Sequence, residues 1–214
     1  CPSAASSISP KARGPLLAEA RLAICPPARD NMARATKMTV RSGLRYNRGR
    51  RGDDFMELDI NDKAPEFTSV NQDGEKVALK DYKGKWVVLY FYPRADTPGC
   101  TIEACSFRDS FKRVENAGAV VLGVSPDTAA AQKKFTDKYS LPFTLVEDAD
   151  KKICNAYGVI QEKNMYGKKV MGVARTTFII GPDGKIKNIF KKVKPEGHAE
   201  QVLDWLTEAK KGAA

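Results

Sequence analysis

The run Pro93-Arg94-Ala95-Asp96-Thr97-Pro98-Gly99-Cys100-Thr101-Ile102-Glu103-Ala104-Cys105 holds the residues best placed to do chemistry. Thr97 is a residue type suited to a helix N-cap, Pro98 fits the first helical position and Gly99 admits close backbone approach, so Cys100 falls in the first turn of a helix. A thiol there faces unpaired N–H groups and the positive end of the helix dipole, which favour negative charge at that point. Cysteine attacks as the thiolate, and Cys100 is therefore the best nucleophile candidate in the chain. On spacing alone a second reading stays open, that of a packed helix-start cysteine without chemistry. Zinc is a weak reading, because the Cys100/Cys105 spacing finds only one distant histidine, His198, and no second close pair. A C-x-x-C redox motif is absent. His198 follows Pro195-Glu196-Gly197 and reads as a solvated residue at a helix start, so Cys–His hydrolysis has no marked base. Cys154, beside Ile153 and near Tyr157, reads as a packed core thiol, and Cys1 and Cys25 take no role.

The elements that must position Cys100 alternate between strands and helices. Residues 85–92, KWVVLYFY, form a near-continuous apolar and aromatic run, the pattern of a central strand covered on both faces. A helix follows over 98–117, with Phe107, Phe111 and Val114 on one face and Gly118 as its stop. Residues 119–124 are a second buried strand. Ser125-Pro126 reads as an N-cap and first helical position for a helix running to Tyr139. Residues 141–146 read as a strand, 151–157 as a short helix, and 175–180 and 185–190 as an antiparallel pair around the turn Pro182-Asp183-Gly184. A helix over 195–211 carries Val202, Leu203 and Leu206. This order describes an α/β fold, a mixed central sheet flanked by helices on both faces. Cys100 then sits beyond the C-terminal end of a central strand, where open α/β sheets place their sites.

The string FYPRADTPGCTIEACSFRD, with ARTTFIIGPDGKI some seventy residues later, resembles the peroxiredoxins, and within them the bacterioferritin comigratory protein or peroxiredoxin Q group. The likeness extends over residues 56–214 and leaves out 1–55. The family signature is Pro, three residues, Thr, two residues, Cys, met here by Pro93, Thr97 and Cys100. The resemblance implies a thioredoxin-like fold, a peroxidatic Cys100, a resolving Cys105 that forms a disulfide with Cys100, and Arg175 as the active-site arginine. It implies peroxide as substrate and thioredoxin, or glutaredoxin, as reductant, with no cofactor and no metal. Peroxide reduction needs donors for the attacked oxygen and charge for the leaving hydroxide. The Thr97 hydroxyl and Cys100 N–H suit the first need and Arg175 the second. Pro93 packs over the sulfur and limits water, while Glu103 orients an arginine or accepts a bond at the helix start. The runner-up function is a thiol–disulfide exchange protein or redox chaperone on the same fold.

Composition sets the outer limits. The 214 residues are 42% hydrophobic and 29% charged, which excludes collagen-like and wholly disordered chains. Residues 1–55 hold eleven Lys/Arg and four Asp/Glu, +7 of the net +10, so most of the basicity lies in the leader. That leader is rich in Ala, Ser, Pro and Arg, has no aromatic residue before Tyr46, and reads as disordered. It is either a transit peptide, a tail or a segment upstream of the native start at Met56. A nucleic-acid binder acting through this leader is the third function class, recognisable by steep salt dependence. No apolar run approaches the length of a membrane span, the strongest being Trp86 to Tyr92. Resolution within one chain makes a monomer sufficient. Cysteines without disulfide-rich spacing point to a reducing interior, the cytoplasm, or a plastid or mitochondrion if the leader is a transit peptide.

Overall fold

The computed structural model describes residues 57–165 and 168–211, so the readings made on the 1–55 leader lie outside the described residues. Two short strands, β1 (Thr68–Val70) and β2 (Lys76–Ala78), pair antiparallel, and a 3₁₀ turn, Leu79–Tyr82, leads into β3 (Trp86–Phe91). Then follow α1 (Pro98–Asp109), α2 (Phe111–Asn116), β4 (Ala119–Ser125), α3 (Ala129–Tyr139), β5 (Thr144–Glu147) and α4 (Lys152–Ala156). The chain continues through β6 (Ile160–Met165), β7 (Lys168–Val173), β8 (Thr176–Ile180), β9 (Ile186–Lys191) and α5 (His198–Lys211). The main sheet has the order β5-β4-β3-β8-β9, parallel between β3, β4 and β5 and antiparallel on the β8 side. It is the mixed sheet expected from the alternation of elements.

The period-two pattern of β3 explains why it is central. Val87, Leu89 and Phe91 pack on one face with Ile153 and Tyr157 from α4 and its end. Val88, Tyr90 and Tyr92 pack on the other, against Phe107 of α1, Val114 of α2, Phe135 of α3 and Val202, Leu203 and Leu206 of α5. Both cores bury branched and aromatic side chains, each contributing roughly 1.5–3 kcal/mol relative to exposure. Gly123 of β4 stands directly across from Tyr90. A Cβ on Gly123 would lie 2.7 Å from the Tyr90 ring and hydroxyl and 2.8 Å from Leu145. Gly123→Ala is expected to destabilise the fold by about 1–3 kcal/mol through overpacking, read by chemical denaturation. An unchanged midpoint would show that Tyr90 can shift freely.

Several boundaries differ from the sequence reading. The helix expected over 98–117 is broken at Ser110, whose ψ is 0° and whose hydroxyl donates to Glu200 of α5 at 3.2 Å. The break escapes the apolar spacing because Phe107 and Val114 still face the same core across it. Ser125-Pro126 does not cap α3. Ser125 ends β4, and Thr128 is the cap, its hydroxyl accepting the Ala131 N–H at 3.4 Å. Glu147 adds a carboxylate that accepts the Ala129 N–H at 2.8 Å, a favourable charge at a helix N-terminus. The strand expected from 141 begins at Thr144, and the last helix begins at His198. The β1–β2 and β6–β7 hairpins have no counterpart in the sequence reading: β1 and β2 have three residues each, and β6 is too polar to show alternation.

Candidate active site

The helix start at Pro98 sets the site. Thr97 has the extended backbone of an N-cap, φ −94° and ψ 150°, and its carbonyl accepts the Thr101 N–H at 2.8 Å. Its side chain does not cap the helix as expected. The Thr97 hydroxyl donates instead to Arg94 O at 3.1 Å, which leaves the N–H groups of the first turn of α1 without a side-chain acceptor from Thr97. Cys100 lies in that turn, is a free thiol and is almost fully buried. Pro93 is half-buried in the loop between β3 and α1.

Arg175 arrives from 75 residues away by sheet topology. The antiparallel pairing of β8 with β3 sets Thr176 opposite Phe91, so the residue before β8 comes to the C-terminal end of β3, where Cys100 lies. The Arg175 Nη2 donates to Cys100 Sγ at 3.4 Å, and its Nη1 pairs with Glu103 Oε2 one turn along α1. Gly99 permits this approach: a Cβ there would stand 3.3 Å from Arg175 Nη2 and 3.4 Å from Pro195 Cγ. Glu103 is wholly buried, and burial raises its carboxyl to about 7 against the pull of the Arg175 guanidinium. Glu103 therefore contacts the same guanidinium that lies on the Cys100 sulfur. Cys105, buried on α1 five positions beyond Cys100, lies on the same helix, and the Cys100–Cys105 disulfide that the resemblance implies is not formed, Cys100 being a free thiol.

Three residues near the site carry features the sequence did not reveal. Tyr90 and Tyr92 share the core face that holds Cys100, and burial raises both phenols well above their ordinary range. Their place on one face follows from the period of β3, but nothing local marks that face as the one beside the thiol. His198 is the correction: it is buried, not solvated. Its ring lies edge-on to Phe107 at 5.6 Å and to Phe190 at 5.4 Å, and its Nε2 shares a hydrogen bond of 2.8 Å with the Thr177 hydroxyl. Burial, with Arg175 nearby, lowers its pKa to about 4, so at neutral pH it is an uncharged packing residue. Cys154 is a buried free thiol, as expected, and burial pushes its ionisation far up, which makes it inert.

Elsewhere, a cavity of about 320 Å³ among Leu58, Tyr157, Val159, Ile160 and Phe178 lies on the opposite face of the sheet and touches none of the residues around Cys100. Among the described residues no helix is long and apolar enough to cross a membrane, and no three His, Cys, Asp or Glu side chains converge as metal ligands.

Comparison with known proteins shows the family. Residues 60–189 match the model of the AhpC/TSA family. A putative peroxiredoxin bcp of Coxiella burnetii is 49% identical over 151 residues, 71% of this chain and all of the relative. Peroxiredoxin Bcp of Escherichia coli K12 is 44% identical over 151 residues, 71% of this chain and 97% of its own. Among solved structures, a PrxQ mutant of Xylella fastidiosa superposes with a TM-score of 0.69 at 37% identity, covering 72% of this chain and 98% of that one. The bacterioferritin comigratory protein of Xanthomonas campestris, studied for its alkyl peroxide reduction activity, gives a TM-score of 0.64 at 40% identity, covering 67% of this chain and 91% of that one. With a buried thiol at a helix start, an arginine on its sulfur and these relatives over the whole described fold, the chain belongs to the AhpC/TSA family as a peroxiredoxin, a thiol-dependent peroxidase.

Proposed function

We propose that Cys100 is the peroxidatic cysteine and Cys105 the resolving one, and that thioredoxin returns the pair to its thiols. The observation that carries this reading is the guanidinium of Arg175 3.4 Å from the Cys100 sulfur. The Cys100 thiolate attacks one oxygen of the peroxide, the O–O bond breaks, and the departing alkoxide or hydroxide takes up a proton. Sulfur loses two electrons and becomes a sulfenic acid. The Cys105 thiolate then attacks the sulfur of that sulfenic acid, the S–O bond breaks, the hydroxide takes up a proton and leaves as water, and a dithiol reductant, itself oxidised to a disulfide, restores both cysteines. Arg175 holds the charge that develops on the peroxide oxygens, the Cys100 N–H and the Thr97 hydroxyl, which gives up its bond to Arg94 O, hold the attacked oxygen, and Pro93 shields the sulfur.

Hydrogen peroxide and organic hydroperoxides are both substrates on this reading, the latter supported by the alkyl peroxide activity named for the Xanthomonas relative. Resolution inside one chain needs no second subunit, so the working form is a monomer. A thioredoxin-fed cycle fits a reducing compartment, the cytoplasm, or an organelle if residues 1–55 direct it there. Disulfide exchange without peroxide would leave the joint placement of Pro93, Thr97 and Arg175 around Cys100 without a purpose. A coupled assay of the full chain with thioredoxin, thioredoxin reductase and peroxide tests the reading. No peroxide-dependent turnover, with the protein folded and Cys100 reduced, would sink it.

Arg175→Ala separates two jobs of the cation. Removing a preorganised donor to a developing oxyanion costs on the order of 10²-fold in rate, and that loss is expected in kcat/KM for peroxide. Alkylation of Cys100 by iodoacetamide at high pH, where every thiol is ionised and no O–O bond breaks, should change far less. Glu103, left without its counter-charge, takes up a proton instead of unfolding the site, because burial raises its carboxyl and the Arg175 guanidinium is what draws it back down. Equal losses in both assays would mean that Arg175 acts on the sulfur alone.

A further inference from the structure

The loop of residues 93–97 carries Pro93 and Thr97 but belongs to no helix or strand. A hydroxyl that must meet a reacting oxygen within a fraction of an ångström needs its backbone fixed from outside. Two carboxylate contacts do so, one made by the loop's own Asp96 to α3 and one by Asp127. Asp96, in the left-handed region at φ 55°, is held by Lys138 Nζ at 2.8 Å and by the Tyr139 hydroxyl at 2.9 Å. That contact is exposed, and exposed ion pairs hold geometry weakly.

Asp127 is tied more deeply. Its Oδ2 accepts the Ala95 N–H at 2.7 Å and the Ser125 hydroxyl at 2.9 Å. Ser125 is fully buried, and its Oγ in turn accepts from Gln132 Nε2 at 3.0 Å. Gln132, also fully buried, donates again to Val146 O of β5 at 2.9 Å. An unbroken chain of hydrogen bonds thus runs from β5 and α3 through the end of β4 to the backbone amide two residues before Thr97.

We propose that Asp127 is a positioning residue for peroxide reduction, gripping the Ala95 amide and so setting Thr97 against Cys100. The inference rests on the reading of Thr97 as the residue that holds the attacked peroxide. It also makes a sign prediction. As a plain negative charge near an anionic reaction, Asp127 would slow attack, and its removal would speed it; as a positioning group, its removal slows attack.

The test uses the full chain, with stopped-flow reduction of hydrogen peroxide read beside iodoacetamide alkylation of Cys100. Asp127→Ala is expected to lower the peroxide rate constant by about tenfold or more, while alkylation shifts by less than about twofold. Asp127→Asn keeps an acceptor oxygen for Ala95 and Ser125 and is expected to stay within about threefold of wild type. In a Thr97→Val background, Asp127→Ala should add less than about twofold, because the group it positions is already gone. Asp127→Glu, which keeps the charge and displaces the carboxylate, should also be slow, and it carries the test if the alanine variant fails to fold. The proposal is overturned if Asp127→Ala leaves the peroxide rate unchanged, slows alkylation equally, is matched by Asp127→Asn, or keeps its full effect without the Thr97 hydroxyl. A slow Thr97→Val beside a wild-type Asp127→Ala rejects this proposal alone, whereas a wild-type Thr97→Val rejects the role given to Thr97.

Discussion

Cys100→Ser is expected to abolish peroxide-dependent turnover while leaving the fold and its melting point close to wild type. The exchange replaces one atom in a side chain that is 2% exposed and packed in the core that holds Tyr90, Tyr92 and Phe107. A serine hydroxyl still accepts a hydrogen bond from Arg175, so the stability change should stay within about 1 kcal/mol. It does not ionise near neutral pH and cannot pass two electrons to an O–O bond, so no slower version of the same chemistry remains. Nor can Cys154 substitute, since it is wholly buried in the opposite core and burial holds its thiol protonated. The measurement is peroxide consumption by the purified variant beside its circular dichroism melt. Turnover near the wild-type rate would exclude Cys100 as the nucleophile.

What was legible in the sequence and what was not divides along a physical line. The strand β3 was plain because burial on both faces demands apolar residues at every position, and no helix of that length needs such a run. The helix start is equally plain, because proline at the first helical position is a local signal, even though Thr97 does not cap through its side chain. Arg175 was not. It is one of 36 basic residues, and only the antiparallel β3–β8 pairing brings it to the sulfur, so its role reached the sequence reading through the family likeness alone. His198 was misread for the same reason. The Pro-Glu-Gly turn before it looks solvated, and nothing near it in sequence announces that Phe107 and Phe190 enclose its ring. The Asp127 network is the extreme case, since four of its members, Ala95, Ser125, Gln132 and Val146, come from different elements and meet only when β4 and β5 pair.

The helix that carries Cys100 keeps Cys105 from reaching it. Both residues lie on α1, and a five-residue step at helical rise and turn separates their Cα atoms by roughly 8.6 Å and points them to different faces. A disulfide rarely spans more than about 7 Å between Cα atoms. On the proposed cycle the first turns of α1 therefore open after Cys100 is oxidised. Contacts flank the turn that opens on this cycle. Arg108 Nη1 donates to Tyr139 O at 3.0 Å and ties the far end of α1 to α3, while Asp96 is held by Lys138 and Tyr139 just before the helix begins. Between these anchors the turn at Pro98 and Gly99 has no side-chain cap to lose. Cys105→Ser is expected to keep the first reaction with peroxide at its wild-type rate, to stop at the sulfenic acid, and to lose thioredoxin-dependent cycling altogether. A sulfenic-acid trap and the coupled assay read these two steps separately. Hydrogen exchange on the oxidised wild type should show lost protection around residues 98–110, with α3 unchanged. An oxidised protein that lacks the Cys100–Cys105 disulfide, or that forms it with α1 still fully protected, would refute this cycle, because an intact helix holds the two cysteines too far apart to bond.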